Sequence, residues 1–394
     1  MSVTAAPGFQ AGAAASGVKP GGAPDVALVT TSDRAAVPAA GVFTTNLVAS
    51  APVQISRHHL ASGRAAAVVL NAGNANAATG EEGRGHARRM CAASATALGC
   101  AADDVLVCST GLIGVPLPID TVESGIADAA AALSDDLTGS RRAADAIRTT
   151  DTVPKEATVE ATDYTVGGIA KGAAMLAPAM ATMLAVITTD AAVTAPALDA
   201  ALRGAVHDTF NALIVDACMS TSDTVLLLAN GRAANAQIGT SGQAFADFAA
   251  AVTEVCDHLA EAMAADAEGA TKLARVVVTG AASATDARLA ARGVASSQLV
   301  QCSLYGADPY WGRILSELGA SGATFDPERV DIAYNGITVC RDGVATPHDT
   351  AAVAAVMAQR DIEITCDLHA GSEGTAVRFT DLTHAYVDEN RGTS

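Results

Sequence analysis

At 394 residues the chain is too long for one ordinary hydrophobic core and long enough for two or three subdomains. A formal charge of -18 at pH 7 repels phosphate backbones and anionic membrane surfaces, which argues against nucleic acid and membrane partners and for a soluble protein. Half of the residues are apolar but only 3% are aromatic, so the core has to be built from small side chains that let strands and helices approach closely.

The chain opens with "MSVTAAPGFQAGAAASGVKPGG", which lacks the basic start and continuous apolar core of a signal peptide. Between 42 and 110, short runs such as "AAAVVLNAG" and "DVLVCSTG" end in Gly, Asn, Ser or Thr, as strands leading into loops do. "HARRMCAASATALG" between them reads as a helix stopped at Gly99. Further helices are expected at 117–133 and at 140–148, the latter with Ser140 as N-cap. Strand, helix and strand in repetition point to a layered α/β body.

"MLAVITTD" then reads as a strand, 194–207 as a helix and "DTVLLLANG" as a second strand. From 242 to 269, Phe245, Phe248, Val252, Val255, Leu259 and Met263 recur at spacings of three and four, an amphipathic helix of about seven turns. In the last hundred residues, "VDIAYNGITVC" is a hairpin turning on Asn335 and Gly336, and "DIEITCDL" and "GTAVRFTDL" are further strands. These form a smaller β-rich lobe with its boundary near 290.

The longest apolar run, near 173–187, contains Pro178 and is shorter than the roughly 20 residues of a membrane span, so with no signal peptide read at the start a cytoplasmic location is the default expectation. Eight cysteines, at 91, 100, 108, 218, 256, 302, 340 and 366, show no CxxC pair and read as reduced, mostly buried thiols. The histidines lack ligand spacing, and His58 and His59 read as a solvated loop pair, so no metal site is expected. GxxxxGK[ST], HExxH, GxSxG and a strand-anchored GxGxxG are all missing, which removes the standard kinases, zinc hydrolases and serine hydrolases.

What remains is a set of hydroxyls and glycines at strand ends. The turn "CSTG" at 108–111 can aim a hydroxyl and a backbone N–H at one point, as an oxyanion hole requires, although such a turn is by default structural. Thr182, inside "LAPAMATMLAVITTD", is by default a strand residue whose hydroxyl bonds back to the chain. It also has a chemical route that needs neither His nor Asp. If the bond between Ala181 and Thr182 is cut, the new α-amine, with a pKa of about 7.7–8.0, can act as base for the hydroxyl on its own side chain. The same hydroxyl can make the cut by attacking the Ala181 carbonyl to give an ester that water opens.

With these pieces assembled, "GGIAKGAAMLAPAMATMLAVITTDA" resembles the signature of the ornithine acetyltransferase family, also called glutamate N-acetyltransferase. "GVFTTN", "VVLNAGNANAATG", "CSTGLIG", "AIRTTDTVPK", "TFNALIVDACMSTSDTVLLLANG", "ADAEGATK", "ADPYWGR" and "DLTHAYVDEN" follow in the family's order over nearly the whole chain. The resemblance implies an α/β layered αββα sandwich like that of N-terminal-nucleophile hydrolases. It implies self-cleavage between Ala181 and Thr182 into an α chain, 1–181, and a β chain, 182–394, assembled as α2β2 or larger. It implies acetyl transfer from N2-acetyl-L-ornithine to L-glutamate through acetyl-Thr182, with Thr110 and Gly111 stabilising the oxyanion, and without metal or cofactor. It also admits acetyl-CoA as a second acetyl donor.

The implied substrate contacts are Thr149, Lys171, Thr182, Glu268, Asn390 and Ser394. Read without the family, Lys171 is the sole cation in a small apolar stretch, suited to an α-carboxylate or simply a solvated strand-end lysine, and Thr149 could cap a helix C-terminus. Glu268 is read at the C-terminus of the long helix, where the macrodipole disfavours an anion by about 0.3–1 kcal/mol, a cost that a cationic partner would offset or that an exposed Glu simply tolerates. The tail "ENRGTS" is one residue shorter than the family pattern, which makes Thr393 a rival to Ser394, and Tyr310 stands in "DPYWGR" where the family more often has Asn. Two other readings stay open: an aminopeptidase or amidase on the same self-cleaving scaffold, and an uncleaved relative serving as a binding or assembly protein.

Overall fold

The computed structural model describes residues 2–175 and 183–392. Three sheets organise it. The first runs Phe9–Ala14, Val26–Thr31, Ala67–Asn74, Val105–Leu112, antiparallel except for the last, parallel pair. The second runs Arg64–Ala65, Val37–Phe43, Thr224–Ala229, Leu184–Thr189, Thr165–Lys171, Lys155–Glu160, with Thr224–Ala229 and Leu184–Thr189 parallel.

Side-chain alternation stacks these two sheets. In the first, Val29, Val68, Leu70 and Leu106 point to one face and Val26, Leu28, Val69, Val105 and Val107 to the other. In the second, Ile169, Leu184, Val186, Leu226 and Leu228 meet the first sheet, while Val166, Ala185, Ile187, Val225 and Leu227 face away. Helices cover both outer faces: Ala51–His59, Gly80–Leu98 and Ile119–Ala131 on the first sheet, Ala195–Asp208 and Gln243–Ala265 on the second. The order is therefore αββα, as expected. Burying a Val, Leu or Ile side chain contributes about 1.5–3 kcal/mol, and a one-residue slip would turn a whole set to the wrong face, so the register is strongly specified.

The third sheet has seven strands in the order Leu213–Ile214, Glu373–Thr380, Leu273–Ala281, Asp361–Asp367, Asp331–Tyr334, Ile337–Arg341, Val344–Ala345. Asn335 and Gly336 turn the hairpin with φ of 41° and 81°, the left-handed pair that a two-residue turn demands. The sheet is supported by the helices Ala284–Ser296, Gln298–Tyr305, Trp311–Ala320 and Thr350–Met357. Residue 290, the expected boundary, falls inside the first of these helices, and the sheet draws in Leu273–Ala281 from before it.

Several element ends differ from expectation for local reasons. The helix expected at 86–99 starts at Gly80 and stops as expected at Gly99, whose φ is 77° and whose N–H donates to the Ala95 carbonyl. The helix expected at 140–148 is Leu137–Ala146, because Asp136 rather than Ser140 is the N-cap, accepting from the N–H groups of Thr138 and Gly139. Ser140 is buried within it. The long helix ends at Ala265, so Glu268 lies beyond its last turn and not at the negative end of its dipole. His58 and His59 belong to the last turn of an unanticipated helix, with the His59 ring 2.8 Å from the Val105 carbonyl. Among the described residues no helix is long and apolar enough to cross a membrane, and no group of His, Cys, Asp or Glu could hold a metal ion.

Candidate active site

At one end of the second sheet Phe43, Thr224, Leu184 and Lys171 stand in a single cross-strand row. The residues that flank this row, Thr44, Asp223, Met183 and Gly172, carry the chain off the sheet at the same end. Lys171 and Met183 bound the segment that contains Thr182. Ala181 and Thr182 themselves, like Thr393 and Ser394, lie outside the described residues.

Lys171 is 2% exposed, which overturns the solvated strand-end alternative. Its ammonium donates to the Thr149 hydroxyl at 2.7 Å and stands 3.8 Å from Asp151. The Thr149 hydroxyl therefore serves Lys171 and not a helix end. Asp151 is the hub of this corner: it accepts from Lys155 at 2.6 Å, from the Gly172 N–H at 2.7 Å and from the Thr149 N–H at 3.1 Å. Burial pushes the Asp151 carboxyl up, but Lys171, Lys155 and the Gly172 N–H outweigh it and hold it down at about 2. Lys171 is likewise lowered from its usual value, because burial disfavours its charge more than Asp151 restores it. Lys155 also pairs with Asp266 at 2.5 Å, which ties the C-cap of the long helix to this corner.

That tie carries the chain to Glu268. The Glu268 N–H donates to the Ala173 carbonyl at 2.9 Å, and its buried carboxylate accepts from the Asn390 amide at 2.7 Å. Asn390 follows the helix His384–Glu389, whose Tyr386 hydroxyl donates to Asp216 at 3.1 Å. Asp216 also accepts the Met175 N–H at 2.6 Å. Thr149, Lys171, Glu268 and Asn390, far apart in sequence, are thus linked through the residues just after Lys171.

Thr110 and Gly111 occupy the end of the Val105–Leu112 strand in the first sheet. Gly111 has a φ of 126°, and a Cβ there would come within 2.3 Å of the Gly73 carbonyl carbon, so only glycine fits. Lys19 connects this strand end to the Lys171 corner: its stem lies against Gly73 and its ammonium donates to the Ala146 carbonyl at 2.7 Å, three residues before Thr149. Burial lowers Lys19 to about 8, against Asp25 and Asp151. A second tie runs from the Asn76 carbonyl to the Ala51 N–H at 3.1 Å and from the Ser50 N–H to the Thr221 carbonyl at 2.8 Å. A cavity of about 700 Å³ beside Phe43 is lined by Arg57, Arg203 and Arg292 and by none of the residues described here as the site.

Sequence reasoning missed Lys19, Asp151, Lys155, Asp216 and Asp223. A signal existed for Asp151, two residues from Thr149 in "RTTDTVPK", and for Asp223, which begins "DTVLLLANG". Both looked like ordinary loop carboxylates, because a linear sequence does not show burial. Tyr310 caps the Trp311–Ala320 helix in the third-sheet lobe, exposed, its ring 5.8 Å from the Arg313 guanidinium.

Comparisons with known proteins span nearly the whole chain. A model described as the ArgJ family matches residues 10–392. The arginine biosynthesis bifunctional protein ArgJ of Thermobifida fusca is 47% identical over 390 residues, 99% of either chain. The protein of the same name from Mycobacterium tuberculosis H37Rv is 46% identical over 394 residues, covering 98% of this chain and 95% of its own. Among solved structures, the arginine biosynthesis bifunctional protein argJ of Bacillus halodurans superposes with a TM-score of 0.50 at 35% identity, covering 52% of this chain and 96% of the solved one.

Proposed function

The chain belongs to the ArgJ family, and from that premise we propose that it is a self-processing acetyltransferase of arginine biosynthesis, moving the acetyl group of N2-acetyl-L-ornithine to L-glutamate. The observation that carries this reading is the arrangement at the row end beyond Lys171: a buried ammonium on a hydroxyl, Lys171 on Thr149, and a buried carboxylate on an amide, Glu268 on Asn390. An amino-acid substrate with a second, cationic amine needs such a pair. Lys171 and Thr149 suit its α-carboxylate, and Glu268 with Asn390 suits the side-chain ammonium of ornithine.

The chemistry proceeds from Thr182. Its hydroxyl oxygen bonds to the acetyl carbon while its proton passes to the α-amine of the same residue, and Thr110 and Gly111 receive the oxyanion. Collapse breaks the C–N bond, the proton goes to the leaving nitrogen, and ornithine departs. The α-amine of glutamate then attacks the acetyl ester, and a second collapse releases N-acetylglutamate and restores the hydroxyl. An amide is exchanged for an ester and the ester for an amide, so the reaction needs no ATP, metal or cofactor; what it does need is exclusion of water from the ester. Acetyl-CoA, a thioester, would load the same hydroxyl.

Self-cleavage before Thr182 supplies the amine and leaves chains of 1–181 and 182–394, each pair of which would assemble further as α2β2 or larger. The Bacillus halodurans chain supports this division, since it is about half as long as the present one. The test is ornithine release from acetylornithine with and without glutamate. Release that depends on glutamate, yields N-acetylglutamate and disappears in Thr182→Ala is expected. Free acetate at full rate without glutamate would make the protein an amidase on the same scaffold.

A further inference from the structure

Carboxylates are plentiful in this chain, 42 against 24 lysines and arginines, so half-buried arginines left without one stand out. Elsewhere the arginines find partners: Arg89 holds Asp120 and Glu123, each at 2.6 Å, and Arg378 grips Asp257 at 2.6 and 2.9 Å. Arg288 and Arg292 do not. Both are half-buried on the helix Ala284–Ser296, and among the described residues neither makes a hydrogen bond or an ion pair. Four residues apart, they share one side of the helix with Cβ atoms about 5–6 Å apart, a spacing at which like charges repel. Burial and then the Arg288 charge lower Arg292 from its usual value, and no carboxylate among the described residues offsets them.

Both residues line a cavity of about 240 Å³ between this helix, the end of the helix Ala195–Asp208 and the strand Glu373–Thr380. Arg275 adds a third cation to its wall, 3.8 Å from Glu363. Asp208 is the one acid in that wall, and its carboxylate stands 2.6 Å from a His207 ring nitrogen. Arg292 and Asn211 also line the cavity of about 700 Å³ beside Phe43, so the two spaces adjoin. In the larger one Arg203 already pairs with Asp199 at 2.7 Å, while Arg57 donates to the Thr44 carbonyl and lies 5.5 Å from the centre of the Phe43 ring. The unanswered positive charge is therefore concentrated where Arg288 and Arg292 meet the smaller cavity.

We propose that Arg288 and Arg292 bind the phosphoryl group of a small phosphorylated molecule, whose body lies in the larger cavity along Ala39–Phe43. A guanidinium is a planar fork that takes two oxygens of one anion. A carboxylate brings one negative charge and two oxygens, enough for one fork. A phosphate monoester near pH 7 brings close to two charges and three terminal oxygens, enough for both. The ligand, and not a side chain, then relieves the repulsion between the two arginines. The adjoining space is large enough for a small organic molecule, and Ala39, Ala40 and Leu60 give it an apolar wall. Because the smaller cavity lies between a helix that covers the second sheet and the third-sheet lobe, an occupant ties these layers together and stabilises the folded chain. Thr149, Lys171, Glu268 and Asn390 line neither cavity, so the inference stands apart from the role of Thr182.

Calorimetric titration of the purified protein with inorganic phosphate, AMP and succinate tests this. Phosphate and AMP should compete for one site, AMP at least about tenfold more tightly because its body has the larger cavity, with succinate much weaker than either. Arg292→Met should weaken both at least about tenfold and Arg292→Lys less, because a lysine keeps the charge but not the fork. Acetyl transfer by Arg292→Met in phosphate-free buffer should match wild type. No binding of phosphate or AMP, binding unchanged in Arg292→Met, or binding lost instead in Lys171→Met overturns the site. Succinate binding as tightly as phosphate overturns the choice of a phosphoryl group, and AMP no tighter than phosphate overturns the placement of the body. Should Arg292→Met not fold, hydrogen exchange of the wild type decides: phosphate should slow exchange in 205–212 and 284–296, and no slowing there overturns the proposal.

Discussion

Asp151 and Asp223 flank the same end of one sheet and are 6% and 0% exposed, yet the first is held at about 2 and the second is pushed well above the usual carboxylate range. The difference lies in their partners. Asp151 has Lys155 at 2.6 Å, Lys171 at 3.8 Å and two main-chain N–H donors, so its charge is saturated. Asp223 has one main-chain N–H, from Met183, the weaker pull of the Ser220 side chain, and no cation in direct contact among the described residues. A saturated buried anion acts as scaffold: it fixes where Lys171 and Thr149 sit. A half-saturated one beside Met183 keeps its charge costly, and its protonation state is set by whatever approaches it.

Removing the charge at the scaffold corner should have the largest effect on folding. Asp151→Asn leaves Lys155 and Lys171 buried without their shared anion and should cost about 3–5 kcal/mol, measured by urea unfolding. The same pair sets an acid limit. Because Asp151 has a folded pKa of about 2, below its unfolded value near 3.9, the stability it contributes is fully present above about pH 4 and is lost as the pH falls toward about 2. Thermal unfolding from pH 5 to 2 should show that loss in wild type and not in Asp151→Asn.

Smaller effects sharpen the chemical side of the contrast. Gly111→Ala forces a Cβ against Gly73 at a φ of 126° and should lower kcat by about 10²–10³-fold, the usual worth of an oxyanion donor. Lys171→Met removes one charge from Asp151 but leaves Lys155 on it, so the fold should survive while KM for acetylornithine rises about 10- to 100-fold. Least of all, Asp136→Ala, at a helix N-cap remote from the chemistry, should cost about 1 kcal/mol of stability and leave kcat unchanged.

The alternating apolar strands, the Asn335 and Gly336 turn and the three-and-four spacing of Phe248, Val252, Val255, Leu259 and Met263 were legible in the sequence because each is a local periodicity facing one side. The start of the Leu137–Ala146 helix was not, since Asp136 and Ser140 are both good N-caps and tertiary packing placed Ser140 inside. The site was legible as far as its residues match a family signature or stand out chemically, as Lys171 does in an apolar stretch. Asp151, Asp223 and Lys19 escaped because they look like loop charges until the fold buries them. Glu268 was read as a helix-end residue, whereas the helix stops three residues earlier and the Ala173 carbonyl, from another strand end, sets its place.

The central claim is that a nitrogen created by chain cleavage activates the Thr182 hydroxyl. Intact mass and N-terminal sequencing of the purified, active protein test it most directly. Two fragments that sum to the full chain plus one water, one of them beginning with Thr182, are the predicted result; full acetyl transfer by a single unbroken 39.2 kDa chain would contradict it.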